Sequence, residues 1–83
     1  MPKWDDREIV EGASTPGQEE QAFNQLVLKY QERLYWHIRK IVISHEDADD
    51  VLQNTLIKVW KSLPGFRSDS SLFTWLYRIA INT

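Results

Sequence analysis

An 83-residue chain makes one small domain and buries only a modest share of its unfolded surface, so it has no thick core to spare. It holds no cysteine, which excludes a disulfide framework and a thiolate metal site and fits a reducing, intracellular setting. The charged N-terminus has no apolar signal region and no apolar run nears the roughly 18 residues of a membrane span, so a soluble, cytoplasmic protein with no membrane partner is expected.

The net charge of −2 at first opposes nucleic-acid binding, because release of counterions from phosphates needs clustered Lys and Arg. Its distribution matters more. Residues 1–20 carry Lys3 and Arg7 against six carboxylates, a net of −4, which leaves +2 over residues 21–83. The acidity therefore sits in the N-terminal tail.

Residues 1–17 are expected to form a flexible N-terminal arm. Asp5 to Val10 has room for a helical turn or two, but Gly12-Ala13-Ser14-Thr15-Pro16-Gly17 is a cluster of breakers. Residues 18–83 are expected to be helical. Phe23, Leu26, Val27, Tyr30, Leu34, Ile38, Ile41 and Val42 recur at three- and four-residue steps, which predicts a long helix from about Gln18 to Ile43 with one buried stripe. Ser44, with Asp47 three residues on, marks the next helix start. From there Ala48, Val51, Leu52, Thr55, Leu56, Val59, Trp60 and Leu63 keep the helical period until Pro64-Gly65 ends it. Ser68, Asp69, Ser70 and Ser71 offer N-caps for a last helix, and Ser70 is favoured. In that helix Leu72, Trp75, Leu76 and Ile79 take the core positions. Their pattern is still running at Asn82-Thr83, as in a chain cut inside a helix. No window alternates apolar and polar residues as a strand does. The predicted fold class is all-α, a small bundle of three to four helices.

Two constellations lie outside these stripes. On the middle helix Asp50, Gln53, Asn54 and Ile57 are three and four residues apart, with Asp49 beside them, so they share a polar face. Carboxylates near a helix start interact favourably with the helix dipole, and a solvated first turn accounts for them. A surface that docks a basic protein is the competing explanation. Enzymatic chemistry is not expected, because an exposed first turn has no apolar pocket to raise one carboxyl pKa and no catalytic partner beside it. His37 and His45, with Asp47 or Asp49, match no metal-ligand spacing, so neither a metal nor another cofactor is expected.

On the last helix Phe73, Tyr77 and Ile81 form an apolar row opposite the core stripe, with Thr74, Arg78 and Asn82 as a polar row beside it. Either these rows meet a partner, or Phe73 and Tyr77 pack on the long first helix. The preceding loop, Phe66 to Ser71, holds one aromatic ring and one arginine. Rings that stack on bases and cations that attract phosphates suit single-stranded nucleic acid.

The run Glu46-Asp-Ala-Asp-Asp-Val-Leu-Gln-Asn-Thr-Leu-Ile-Lys-Val-Trp60, then Phe66-Arg67-Ser-Asp-Ser-Ser-Leu72 and Thr74-Trp-Leu-Tyr-Arg-Ile-Ala-Ile-Asn82, resembles region 2 of the extracytoplasmic-function sigma factors of bacteria. With Ala22-Phe23 and Tyr30 upstream, the resemblance covers about Ala22 to Thr83. It implies a transcription initiation factor domain of the sigma-70 family. Such a domain binds the beta-prime clamp helices of core RNA polymerase, and it recognises and helps melt the minus-ten promoter element by capturing the non-template strand. The resemblance puts polymerase contacts at Asp49, Asp50, Gln53 and Asn54, the last standing where a Glu is common. It puts an extruded base on Phe66, phosphates on Lys61 and Arg67, base edges on Ser68, Asp69, Ser70 and backbone amides at the helix start, and neighbouring nucleotides along Thr74, Arg78 and Asn82, with Ser71 also in the DNA-facing set. An anti-sigma factor is a further implied partner. Family members usually continue into a basic helix end and a second, helix-turn-helix domain, so this chain alone is expected to bind promoter DNA weakly. The alternative is a helical protein-interaction module without nucleic acid.

Overall fold

The computed structural model describes residues 3–67 and 69–82, and these form four α-helices joined by short turns. They are α1 Asp6–Ala13, α2 Glu19–Arg39, α3 His45–Ser62 and α4 Leu72–Ile81, with a 3-10 turn at Leu63–Gly65 after α3. Among the described residues there is no strand. Helix α2 packs against all three of the others.

The N-terminal segment departs from the flexible arm expected of it. Asp5 accepts from the Glu8 backbone N–H at 2.8 Å while the Glu8 carboxylate accepts from the Asp5 N–H at 3.0 Å, a reciprocal cap that closes the first turn of α1. Ile9 is completely buried and Ala13 nearly so. Burying a side chain of that size is worth about 1.5–3 kcal/mol, more than the roughly 1 kcal/mol that a helical glycine costs. Gly12 is in fact a close-packing position rather than a breaker. A Cβ there would stand 2.5 Å from Trp4 Cζ3 and 3.1 Å from Ala22 Cβ. The chain reverses at Gly17, whose φ of 88° is open to glycine at little cost, and enters α2.

Asp6 fastens α1 to α2. Its Oδ1 accepts from Lys29 Nζ at 2.8 Å and from the Tyr30 hydroxyl at 2.6 Å. Burial alone would raise the Asp6 carboxyl pKa, but these two hydrogen bonds and the charges of Lys29 and Arg33 together outweigh it and hold the group below its ordinary 3.8. Burial, together with the neighbouring carboxylate, pushes the Tyr30 hydroxyl up.

Along α2 the buried stripe is Ala22, Leu26, Tyr30, Leu34 and Ile38. The helix stops at Arg39, four residues short of the predicted end. Arg39 Nη1 donates to the carbonyls of Val42 at 3.1 Å and Ile43 at 3.0 Å, which gathers the chain into a turn. Ile41 is half exposed and Ile43 is 94% exposed, so the apolar period outran the helix there. Ser44 caps α3 as predicted, its Oγ accepting from the Asp47 N–H at 3.1 Å. Ala48, Leu52, Thr55 and Val59 face inward, and the buried Thr55 hydroxyl is satisfied by the Val51 carbonyl at 2.6 Å.

The cap of α4 is Ser71 rather than Ser70. Its Oγ accepts from the Thr74 N–H at 3.1 Å and donates to Thr74 Oγ1 at 2.7 Å. Leu72, Leu76 and Ala80 form the buried line, while Trp75 and Ile79, expected in the core, are half-buried at its edge. Phe73 and Tyr77 pack on α2 and present no outer row. Phe73 lies 5.7 Å from the Tyr30 ring, Arg33 stands 3.9 Å above Phe73, and His37 sits edge-on to Phe73 and Tyr77 at 5.0 and 5.5 Å. Only Ile81 of the predicted apolar row is widely exposed.

Ile9→Ala is expected to cost about 2–5 kcal/mol in denaturant unfolding, whereas a loose arm would tolerate it. Because the folded Asp6 pKa is depressed, its stabilising contribution is complete above 3.8 and is lost as pH falls towards the folded value. Thermal unfolding of wild type and Asp6→Asn should differ near neutral pH and converge in acid below about pH 4.

Candidate nucleic-acid interface

The C-terminal half of α3 and the outer side of α4 enclose a groove of about 360 Å³. Lys58, Lys61 and Ser62 come from α3, one helical turn apart, and Trp75, Arg78 and Ile79 from α4, with Asn82 at its C-cap, follow the same spacing. Each stripe runs beside the buried stripe of its own helix, so core packing aims both at the same space. Three cations and no carboxylate line the groove, over an apolar floor formed by the Trp75 ring and Ile79. That combination accepts a polyanion with flat apolar faces.

A second cavity, about 430 Å³, lies between the loop before α4 and the N-terminal helix. Phe66, Ser70, Ser71 and Leu72 form one wall, and α1 supplies the other through Asp6, Arg7, Val10 and Glu11. The Phe66 N–H donates to the Leu63 carbonyl at 3.0 Å, closing the 3-10 turn, and the Phe66 ring leans on Trp75 with centroids 5.1 Å apart. Phe66 lines one space and Trp75 the other, so this ring pair is the partition between them.

The DNA-facing set inferred from sequence is therefore divided. Lys61, Arg78 and Asn82 meet in the groove, and Phe66, Ser70 and Ser71 meet in the cavity. Arg67 and Asp69 are exposed on the connecting loop and line neither space. Thr74 is exposed, with its hydroxyl engaged by the Ser71 cap. Ser68 lies outside the described residues. Lys58, Ser62 and the α1 residues were missed. Lys58 stands three residues before Lys61 and was legible as its helical neighbour; the signal for α1 was the Asp5–Glu8 capping pair.

At the other end of α3, Asp49, Asp50, Gln53 and Asn54 are all exposed, and Ile57 extends their face. Asp49 Oδ2 lies 3.2 Å from His45 Nε2, and His45 Nδ1 is hydrogen-bonded to the Tyr35 hydroxyl. His37 is taken up by the aromatic contacts to α4 and by the Arg33 carbonyl, 3.0 Å from its Nδ1. Acidic at its start and basic at its end, α3 carries its charges in the sense its own dipole favours.

These features define an all-helical module with one surface suited to single-stranded nucleic acid and another, acidic, on the same helix. The model of Sigma-70 region 2 matches residues 26–83, and the chain belongs to that family. It is 44% identical over 78 residues to the RNA polymerase sigma-H factor of Pseudomonas aeruginosa, covering 94% of this chain and 39% of that protein. To the ECF RNA polymerase sigma-E factor of Escherichia coli K12 it is 45% identical over 65 residues, 78% of this chain and 34% of the relative. The chain thus spans about two fifths or less of these relatives. Among solved structures, an engineered region 2 of sigmaE in complex with GTAAAA superposes with a TM-score of 0.80 at 36% identity, covering 99% of this chain and 84% of the other. Among the described residues no helix is long and apolar enough to cross a membrane.

Proposed function

We propose that this domain serves a bacterial transcription initiation factor by docking on core RNA polymerase and holding the unwound non-template strand of the minus-ten promoter element. The observation that carries this is the groove in which Lys58, Lys61 and Arg78 converge around Trp75. Further support comes from the related region 2 solved in complex with GTAAAA.

The strand's phosphates run past the two lysines and Arg78, while the Asn82 amide, able both to donate and to accept, reads a base edge. One base leaves the stack and enters the cavity beside Phe66. Extrusion costs a few kcal/mol, and stacking on an aromatic ring returns about 1–3 kcal/mol per base. Arg67, Asp69 and Thr74, exposed on the loop and the first turn of α4, contact the nucleotides that connect groove and cavity, and Ser68 is assigned to the same strand from its place in the sequence alone. Docking uses Asp49, Asp50, Gln53 and Asn54 against a basic stretch of the beta-prime clamp helices. They are exposed on the N-terminal half of α3 and the lysines stand on its last turns, so each partner takes its own stretch of the helix, the two meeting where Asn54 lies one turn before Lys58. The domain performs no bond-making chemistry in this scheme. It lowers the cost of open DNA by binding it.

Asp50→Ala combined with Gln53→Ala is expected to weaken polymerase binding about tenfold or more, and unchanged affinity contradicts the docking assignment. Lys58→Ala should weaken single-strand binding for every sequence alike and lower the slope of log affinity against log salt by about 1. Asn82→Ala, by contrast, should alter base preference with little change in that slope, read by titrating labelled oligonucleotides at several salt concentrations.

A further inference from the structure

The groove and the cavity leave unused the C-terminal half of α2, where the chain is basic and aromatic. From Arg33 to His45 it carries Arg33, Arg39 and Lys40 and no carboxylate. Trp36, within this stretch, is 56% exposed, whereas a ring of that size is ordinarily well buried. We infer that Trp36, with Arg33 and Lys40 beside it, is a second contact for the single strand, stacking a base beyond those held in the groove and the cavity. This role rests on the single-strand binding proposed above.

Helical spacing assembles the patch. Arg33 lies three residues before Trp36 and Lys40 four residues after it, so both cations are surface neighbours of the indole. Glu32, four residues before Trp36, lies on the opposite flank of the ring. The indole meets Tyr35 edge-on with centroids 5.0 Å apart, and the Tyr35 hydroxyl is hydrogen-bonded to His45 Nδ1, so the ring has a fixed support. Arg33 is oriented by the Phe73 ring, 3.9 Å below its guanidinium, and is still exposed. Arg39 is spent on the carbonyls of Val42 and Ile43, and Lys29 on Asp6. Among the described residues no carboxylate stands within ion-pair distance of Arg33 or Lys40.

The patch adjoins the cavity. Asp6 and Leu72 line that cavity; Lys29, bonded to Asp6, stands one turn before Arg33, and Phe73, beneath Arg33, follows Leu72. From Arg33 to Lys40 the patch then runs about 10 Å along α2. A strand leaving the cavity on this side lays phosphates against two cations and a base on the indole. Charge decides the occupant. The acidic face of α3 calls for a basic protein, which Arg33 and Lys40 repel, whereas a polyanion with unstacked bases is drawn by the cations and stacks on the ring.

The test compares the hexamer GTAAAA with versions extended by four thymidines at the 5′ or the 3′ end, titrated against the factor carrying this domain bound to core polymerase. Wild type should bind one of the two extended strands about tenfold more tightly than the hexamer, the effect of stacking one further base. Trp36→Leu, which keeps an apolar side chain and loses the stacking ring, should cut that gain to within about twofold and leave hexamer affinity unchanged. Lys40→Gln should lower the slope of log affinity against log salt by about 0.7 for the extended strand alone. Lys58→Ala, in the groove, should weaken hexamer and extended strand alike; if it weakens neither while Trp36→Leu still abolishes the gain, the groove reading fails and the patch stands. If neither extension adds affinity, or if the gain survives in Trp36→Leu, the inference is overturned. It is overturned equally if Trp36→Leu weakens binding of core polymerase and spares the gain, because the indole then belongs to a protein interface.

Discussion

A single helix has to serve three neighbours. Helix α2 takes α1 on one side, α3 along its length and α4 across its C-terminal half, and the buried line from Ala22 to Ile38 is the seam where they meet. The aromatic packing follows from this. Phe23 meets Trp60 of α3, Tyr30 meets Phe73 of α4, and Arg33 and His37 cover the remaining faces of Phe73 and Tyr77. In so small a domain these contacts fix the angle between α3 and α4, and that angle creates the groove. The same helix anchors α1 through Asp6, Lys29 and Tyr30, and so places the second wall of the cavity.

The charge distribution makes sense on this frame. A chain of net charge −2 presents a basic groove because Lys58, Lys61 and Arg78 line it with no carboxylate among them, while Asp6, Glu8 and Glu11 lie on α1 and Glu46, Asp47, Asp49 and Asp50 at the start of α3. Negative groups around the groove's neighbours weaken non-specific attraction to duplex DNA, whose binding rests on phosphate neutralisation. Contacts that depend on unstacked bases are less affected.

Much of this was legible in the sequence, and the parts that were not share a cause. The start of α3 at Ser44, its stripe and its end at Pro64-Gly65 are local features, set by a cap, a period and a breaker, and they stand where the residues put them. Gly12 misled because glycine marks either a turn or a close approach, and only the position of Trp4 decides between them. Ile41 and Ile43 misled because an apolar period does not say that the helix beneath it has ended; the Arg39 side chain ends it. Ser71 displaced Ser70 as cap by a single residue, a difference within a run of serines that no pattern resolves. The split of the DNA-facing set into a groove and a cavity depends on how Phe66 meets Trp75, a contact between the loop and a helix that spacing alone does not reveal.

The central claim is that a single strand lies in the groove between α3 and α4 while the acidic face of α3 stays free. It is tested most directly by recording amide and indole NMR shifts of the isotope-labelled chain during titration with the single strand GTAAAA. Perturbations concentrated at Lys58, Lys61, Trp75, Arg78, Asn82 and Phe66, with Asp49, Asp50 and Gln53 unmoved, are the predicted result. Perturbations that spare Trp75 and Arg78, or that centre on the Asp49 to Ile57 face, would contradict it.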